Sequence, residues 1–158
     1  FAARKGARSV LGIDIDPDVI AGCNILKDYH GIANVEFRRA NFLEEALGER
    51  FDIVLMLDFI GKNIIRKQKL APSLAAIQDL PRKEILISLH PEYPIRRSFK
   101  LTSEAFRNLY PPEYIQANRF YLIDYVRSFF KDSWQEKRQY KPEHRSQNVK
   151  HPLHFIRK

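Results

Sequence analysis

The chain has 158 residues, 44% of them apolar and 29% charged, with a net charge of +8, which describes one ordinary globular domain and excludes a disordered or fibrous chain. No stretch approaches the roughly 20 apolar residues of a membrane span, so a soluble protein with no membrane partner is expected. Cys23 is the one cysteine, which excludes a disulfide framework and a cysteine-held metal and suits a reducing, cytoplasmic setting.

In chain order, Phe1 to Lys5 reads as the last turns of a helix closed by Gly6. Val10 to Ile13 is aliphatic enough for a strand buried on both faces, and Asp14 falls at its carboxyl end. Asp16 is a good N-cap and Pro17 suits the first helical position, so a helix is expected from Pro17 to Tyr29, with Val19, Ile20, Cys23 and Leu26 near one face. Asn34 to Arg39 alternates apolar with polar and reads as a strand followed by Ala40-Asn41-Phe42. A short acidic helix is expected around Leu43 to Leu47. Phe51 to Leu57 is an almost unbroken apolar run, the pattern of a central parallel strand, and ends in Asp58-Phe59.

Helical pieces are expected at Ile64 to Leu70 and Ser73 to Leu80, the second started by Pro72 and stopped by Pro81. Glu84 to Leu89 is the next buried strand, and His90-Pro91-Glu92-Tyr93-Pro94 forms a loop at its carboxyl end. A helix starts at Thr102 or Ser103. From Glu113 to Phe130 strand pairing is the favoured reading, although Ile115, Leu122, Val126 and Phe129 also fit one helical face. Lys131 onward is expected to be a basic tail, mostly loop, so that residues 1–130 form the α/β domain and 131–158 the tail.

The charge follows that division. Residues 1–61 carry 7 basic and 10 acidic side chains, 62–126 carry 11 and 6, and 127–158 carry 9 and 3. A basic tail with Trp134, Tyr140 and Phe155 suits nucleic acid, another anionic surface, or simple solubility.

Strands alternating with helices call for a mostly parallel sheet with helices on both faces. Val10 to Pro17, Asn34 to Phe42 and Phe51 to Phe59 together resemble the second, third and fourth strand segments of a class I S-adenosylmethionine-dependent methyltransferase. The resemblance covers residues 1 to 90 and implies a Rossmann-like α/β fold. The family's first strand and its glycine-rich cofactor loop would lie before Phe1, so the sequence is expected to be an N-terminally incomplete domain.

The resemblance implies S-adenosylmethionine as cofactor, with Asp14 on the ribose hydroxyls, Ile15 on one adenine face, Asn41 toward the adenine amino group and Phe42 covering the ring. Leu57 and Asp58 would lie beside the sulfonium. Methyl transfer needs positioning more than a universal base, so no catalytic residue is singled out. The acceptor crevice is expected to have Asp58, Phe59, Lys62 and Asn63 on one side and the substrate-binding residues His90, Glu92 and Tyr93 on the other, with His90 the best placed histidine to act as a base. Asp58-Phe59-Ile60-Gly61 lacks the Asn/Asp-Pro-Pro-aromatic pattern of amino-group methylation, and Cys23 lies on a helix, away from any cysteine-nucleophile position. The expected function is methyl transfer to a small-molecule or RNA acceptor. The alternatives are an inactive scaffold or nucleic-acid-binding protein, and a nicotinamide-dependent oxidoreductase.

Overall fold

The protein is described from a computed structural model, which defines residues 2–45, 47–137 and 150–158. Phe1 and Tyr140, both used in the sequence reading, lie outside the described residues. The chain divides into two compact units, Phe1–Leu47 and Gly48–Lys158.

In the first unit a 3-10 turn at Ala3–Lys5 ends at Gly6, whose φ of +92° puts it in the left-handed region that glycine tolerates. Strand β1 (Val10–Asp14) leads through Asp16 into helix α1 (Pro17–Tyr29), and strand β2 (Val35–Arg39) follows. The Asp16 carboxylate accepts the Asp18 N–H at 2.9 Å, which satisfies one of the free donors at the helix start. β1 and β2 pair in parallel, with Gly12 opposite Phe37. A Cβ on Gly12 would stand 2.6 Å from the Phe37 ring, so the small residue is what lets that ring lie across β1. On the expected helix face Ile20 and Cys23 are half-buried, whereas Val19 and Leu26 are exposed. Of the acidic helix expected at Leu43 to Leu47, Ala46 lies outside the described residues, and the residues Leu43 to Glu45 form a turn instead. Asn41 organises it: its backbone carbonyl accepts N–H groups from both Glu44 and Glu45, and its side-chain Oδ1 accepts that of Leu43 at 3.2 Å.

The second unit is built on strand β3 (Phe51–Leu57) and strand β4 (Pro81–Leu89), which pair in parallel. Helix α2 (Lys62–Arg66) and helix α3 (Leu70–Asp79) connect them, with Gln68 at φ +55° making the break. Pro72 is the third residue of α3, where its missing N–H has no partner to lose. Leu70, Leu74 and Ile77, spaced i, i+4, i+7, are fully buried. Beyond β4 come strand β5 (Tyr93–Pro94), helix α4 (Ile95–Phe99), helix α5 (Ser103–Arg107), and strands β6 (Ile115–Gln116) and β7 (Arg119–Phe120). The short strands form an antiparallel sheet in the order β5-β7-β6, closed by Ala117 and Asn118, both with positive φ, in the manner of a two-residue hairpin turn. Phe106, Tyr110, Phe120 and Tyr125 pack ring against ring, and the Tyr110 hydroxyl donates to the Ile65 carbonyl at 2.6 Å.

Two expectations need correction. Strand pairing over Glu113 to Phe130 holds only as far as the β6–β7 hairpin, because Leu122–Phe130 is helix α6. Leu122, Ile123, Val126 and Phe130 are its buried residues, a helical spacing that wins once those side chains have a core to enter. Within the expected basic tail, of which residues 138–149 lie outside the described residues, strand β8 (Trp134–Glu136) and strand β9 (His151–Arg157) instead complete the main sheet of this unit, in the order β3-β4-β9-β8. β9 runs antiparallel to β4, placing Leu153 opposite Ile87 and Phe155 opposite Ile85, all buried. Among themselves the four strands expected from the sequence pair in parallel, β1 with β2 and β3 with β4, while β4 also takes β9 as an antiparallel neighbour. Among the described residues no helix is long and apolar enough to cross a membrane.

Gly12→Ala is expected to lower stability by about 1–3 kcal/mol, since the Phe37 ring must leave its rotamer or the strands must part; urea unfolding measures it. A second expectation concerns pH. His151 is buried, and burial, with the nearby Arg127 and His90 charges, pulls its pKa down. The unfolded chain therefore takes up this proton first, so the contribution is full above about pH 6.5 and declines as pH falls below it. The urea midpoint should drop more between pH 7.5 and pH 5.5 in the wild type than in His151→Gln.

Candidate functional site

In the first unit the candidate residues collect at the carboxyl ends of two parallel strands, where open α/β sheets bind ligands. Asp14 ends β1, and its Oδ1 accepts the Asp16 N–H at 2.9 Å. This bond fixes the carboxylate at the mouth of the strand, and its second oxygen has no partner among the described residues. Ile15 follows with 64% of its surface exposed. Asn41 and Phe42 follow β2; the Asn41 Oδ1 holds the turn, and its amide hydrogens remain available.

In the second unit a cavity of about 530 Å³ opens at the carboxyl ends of β3 and β4. Asp58, Phe59, Lys62 and Asn63 line it on the β3 side, and Ser88, His90 and Tyr93 on the β4 side, together with Lys150. Asp58 has a φ of +61°, a left-handed conformation that an aspartate tolerates better than most residues. Three contacts hold it there. Its N–H donates to Ser88 Oγ at 3.1 Å, the same hydroxyl donates to Asp58 Oδ1 at 3.2 Å, and Lys150 Nζ pairs with that oxygen at 2.5 Å. The hydrogen bond from Lys150 is the largest influence holding the Asp58 carboxyl below its usual range, opposed by desolvation and assisted by Ser88 and by the Lys150 and His90 charges.

His90 packs edge-on against Tyr93 with ring centroids 5.5 Å apart, and its Nδ1 is buried with no hydrogen-bond partner among the described residues. The Lys62 ammonium stands 5.9 Å from the centre of the Tyr93 ring. Burial raises the Tyr93 hydroxyl pKa, so the ring presents a neutral phenol at physiological pH. Glu92 is not among the lining residues: its carboxylate pairs with Arg119 at 2.6 Å and fastens β5 to β7. Leu57 is 66% exposed, next to Asp58. Ser88 and Lys150 escaped the sequence reading. Ser88 reads as an ordinary residue of a buried strand, and Lys150 reaches Asp58 only because β9 pairs with β4. No group of three or more metal-ligating side chains occurs among the described residues.

The sequence matches the family model described as a methyltransferase domain over residues 1–153. The solved structures it resembles include magnesium protoporphyrin IX methyltransferase (ChlM) from Synechocystis PCC 6803 with bound SAH, at a TM-score of 0.65 and 17% identity, covering 99% of this chain and 67% of that one. The N-methyltransferase NodS from Bradyrhizobium japonicum WM9 matches with a TM-score of 0.59 and 10% identity, over 94% of this chain and 73% of that one. The bifunctional kinase-methyltransferase WbdD matches at 0.56 and 17%, where the chain spans 98% of itself but only 31% of that protein. At these identities the structural likeness speaks for the Rossmann-like α/β fold. No curated protein matches the sequence. The chain belongs to the methyltransferase-domain family, as a class I methyltransferase whose cofactor is S-adenosylmethionine. That membership sets aside the nicotinamide-dependent alternative.

The Asp58 environment makes a direct prediction. In Lys150→Met the Asp58 carboxyl should titrate at higher pH than in the wild type, and in Ser88→Ala it should move the same way by less. Carbon-detected NMR titration of the carboxyl resonances measures both.

Proposed function

We propose that this domain methylates a small-molecule acceptor held in the cavity at the ends of β3 and β4. The observation that carries the reading is the composition of that cavity: one anchored carboxylate, two ammonium groups, an imidazole and a phenol around a space of about 530 Å³, within the range of small-ligand sites. Such a mixed surface discriminates a compact polar molecule better than it grips a uniform polyanion.

The residues of the first unit fit the cofactor. Asp14 offers a free carboxylate oxygen to the ribose hydroxyls, and the exposed Ile15 offers an apolar face to the adenine. Asn41 offers the second lone pair of its Oδ1, beside the bond it accepts from the Leu43 N–H, to the adenine amino group, and Phe42 lies next to it. Leu57 and Asp58, the residues expected beside the sulfonium, stand at the end of β3 in the second unit. S-adenosylmethionine supplies an electrophilic methyl on a sulfonium whose leaving group departs neutral. The protein's part is then to orient the acceptor and to hold its proton where one must leave. His90 suits the second task, because its imidazole is fixed against Tyr93 and its Nδ1 has no hydrogen-bond partner among the described residues. Glu92 takes an indirect part, keeping β5, and with it Tyr93, in place through Arg119.

An RNA acceptor is the second reading, favoured by the basic excess of residues 62–158. A cytoplasmic location accords with either reading and rests on the lone Cys23. Calorimetry with S-adenosylhomocysteine tests the cofactor assignment. Asp14→Ala should weaken binding by about 1–3 kcal/mol, because two ribose hydroxyls lose their acceptor. Equal affinities would remove Asp14 from the site, and absence of binding in the wild type would overturn the assignment as a whole.

A further inference from the structure

The second unit carries another concavity, of about 850 Å³, that shares no lining residue with the cavity at the ends of β3 and β4. Arg96 and Arg97 of α4 reach it, as do Lys100, Thr102, Ser103 and Asn118. The hydrogen-bonding arrangement turns its polar side chains into donors. Ser103 Oγ donates to Asn118 Oδ1 at 3.0 Å, which occupies the acceptor end of the amide and leaves its N–H groups free. Thr102 Oγ1 accepts the Ala105 N–H at 3.1 Å, and its own hydroxyl hydrogen remains available.

Among the described residues no acidic side chain lines this groove: Glu92 is paired with Arg119, and Glu104, one position beyond Ser103, is not part of the lining. None of the three cationic side chains has a hydrogen bond or ion pair among the described residues. Their arrangement is unfavourable in the absence of an anion. The Lys100 N–H bonds to the Arg96 carbonyl at 3.2 Å, so Arg96 and Lys100 are like charges one helical turn apart. Lys100 also has a φ of +61° at the end of α4, where glycine is the favoured residue. A helix end offers roughly half a negative charge, which does not balance three cations.

We propose that this groove binds the phosphoryl groups of a small phosphorylated ligand. Three exposed cations lining one groove match a dianion or polyanion, whereas a single carboxylate would leave most of the charge unopposed. Two guanidinium groups supply the planar, two-pronged donors that phosphate oxygens accept. Nucleic acid fits less well, because the lining includes no aromatic side chain on which a base could stack.

Calorimetry of the whole chain with inorganic phosphate, pyrophosphate and tripolyphosphate tests the assignment. Affinity should rise along that series, and Arg96→Gln with Arg97→Gln should weaken tripolyphosphate binding at least tenfold. Arg107→Gln, an exposed arginine of α5 outside the groove, should leave it unchanged. Lys100→Gly separates binding from folding: it should raise the unfolding midpoint, since glycine accepts the left-handed backbone, and still weaken tripolyphosphate binding. S-adenosylhomocysteine affinity should be the same in all these variants, so that failure of the groove and failure of the methyltransferase reading are distinguishable. Three results would overturn the proposal: no tripolyphosphate binding by the wild type, an equal loss in Arg107→Gln, or an oligouridylate that binds far more tightly than tripolyphosphate and is lost with Arg96 and Arg97.

Discussion

Burial of β4 on both edges is the constraint on which the second unit depends. Its Ile85, Ile87 and Leu89 are almost wholly removed from water, and its backbone is paired in parallel with β3 and antiparallel with β9. Because a strand's side chains alternate, fixing the register of these three residues also fixes Ser88 on the opposite face and delivers His90 at the strand's end. A slip of one residue would put Ser88 in the core and detach it from Asp58. The polar geometry of the cavity is in that sense a by-product of an apolar ladder.

The β9 pairing adds a second consequence. Antiparallel to β4, it starts where β4 ends, and the residue preceding it, Lys150, therefore stands over the same strand end as Asp58 and His90. A lysine remote in sequence thereby neutralises an aspartate held in a left-handed conformation, and the Ser88 hydroxyl bonds both the backbone and the side chain of that aspartate. The contacts reinforce one another: the backbone bond fixes where the carboxylate projects, and the carboxylate bond fixes the serine rotamer. Exposure tempers the ion pair, since Lys150 is 40% and Asp58 62% accessible, so its value lies in orientation more than in stability.

What the sequence disclosed was local. Asp16 and Pro17 mark the start of α1 because an N-cap and a fixed φ act within one turn, and α1 begins at Pro17. The apolar run of Phe51 to Leu57 marked a parallel strand, which it is, but the expected central position is corrected: β3 is the edge of its sheet, with Ile53, Leu55 and Leu57 exposed. Ambiguity arose where period and context compete. Ile115, Leu122, Val126 and Phe129 fit a helical face, yet Phe120, Leu122 and the alternation after them suit strands; in the structure Ile115 is in β6, and α6 buries Leu122, Ile123, Val126 and Phe130 in place of Phe129. The Ala117-Asn118 turn lacks the glycine that ordinarily marks a hairpin. Of the residues expected around the acceptor, Asp58, Phe59, Lys62, Asn63, His90 and Tyr93 share one cavity, since strand ends position them by chain connectivity alone. Glu92 turns toward Arg119, Lys150 arrives from β9, and neither placement leaves a local signature.

The late position of β9 also orders events in time. Glu84 pairs with Ile156 across about 70 residues of intervening chain, a long loop to close before the ladder repays it. At roughly 5–20 residues per second, a ribosome needs several seconds to make that stretch. During that interval β3 and β4 can pair, but the second edge of β4 has no partner and Asp58 has no lysine. Nascent chains thus expose an apolar strand edge until residue 157 emerges, a window in which a chaperone, or another nascent copy, meets the sheet before its own closing strand does.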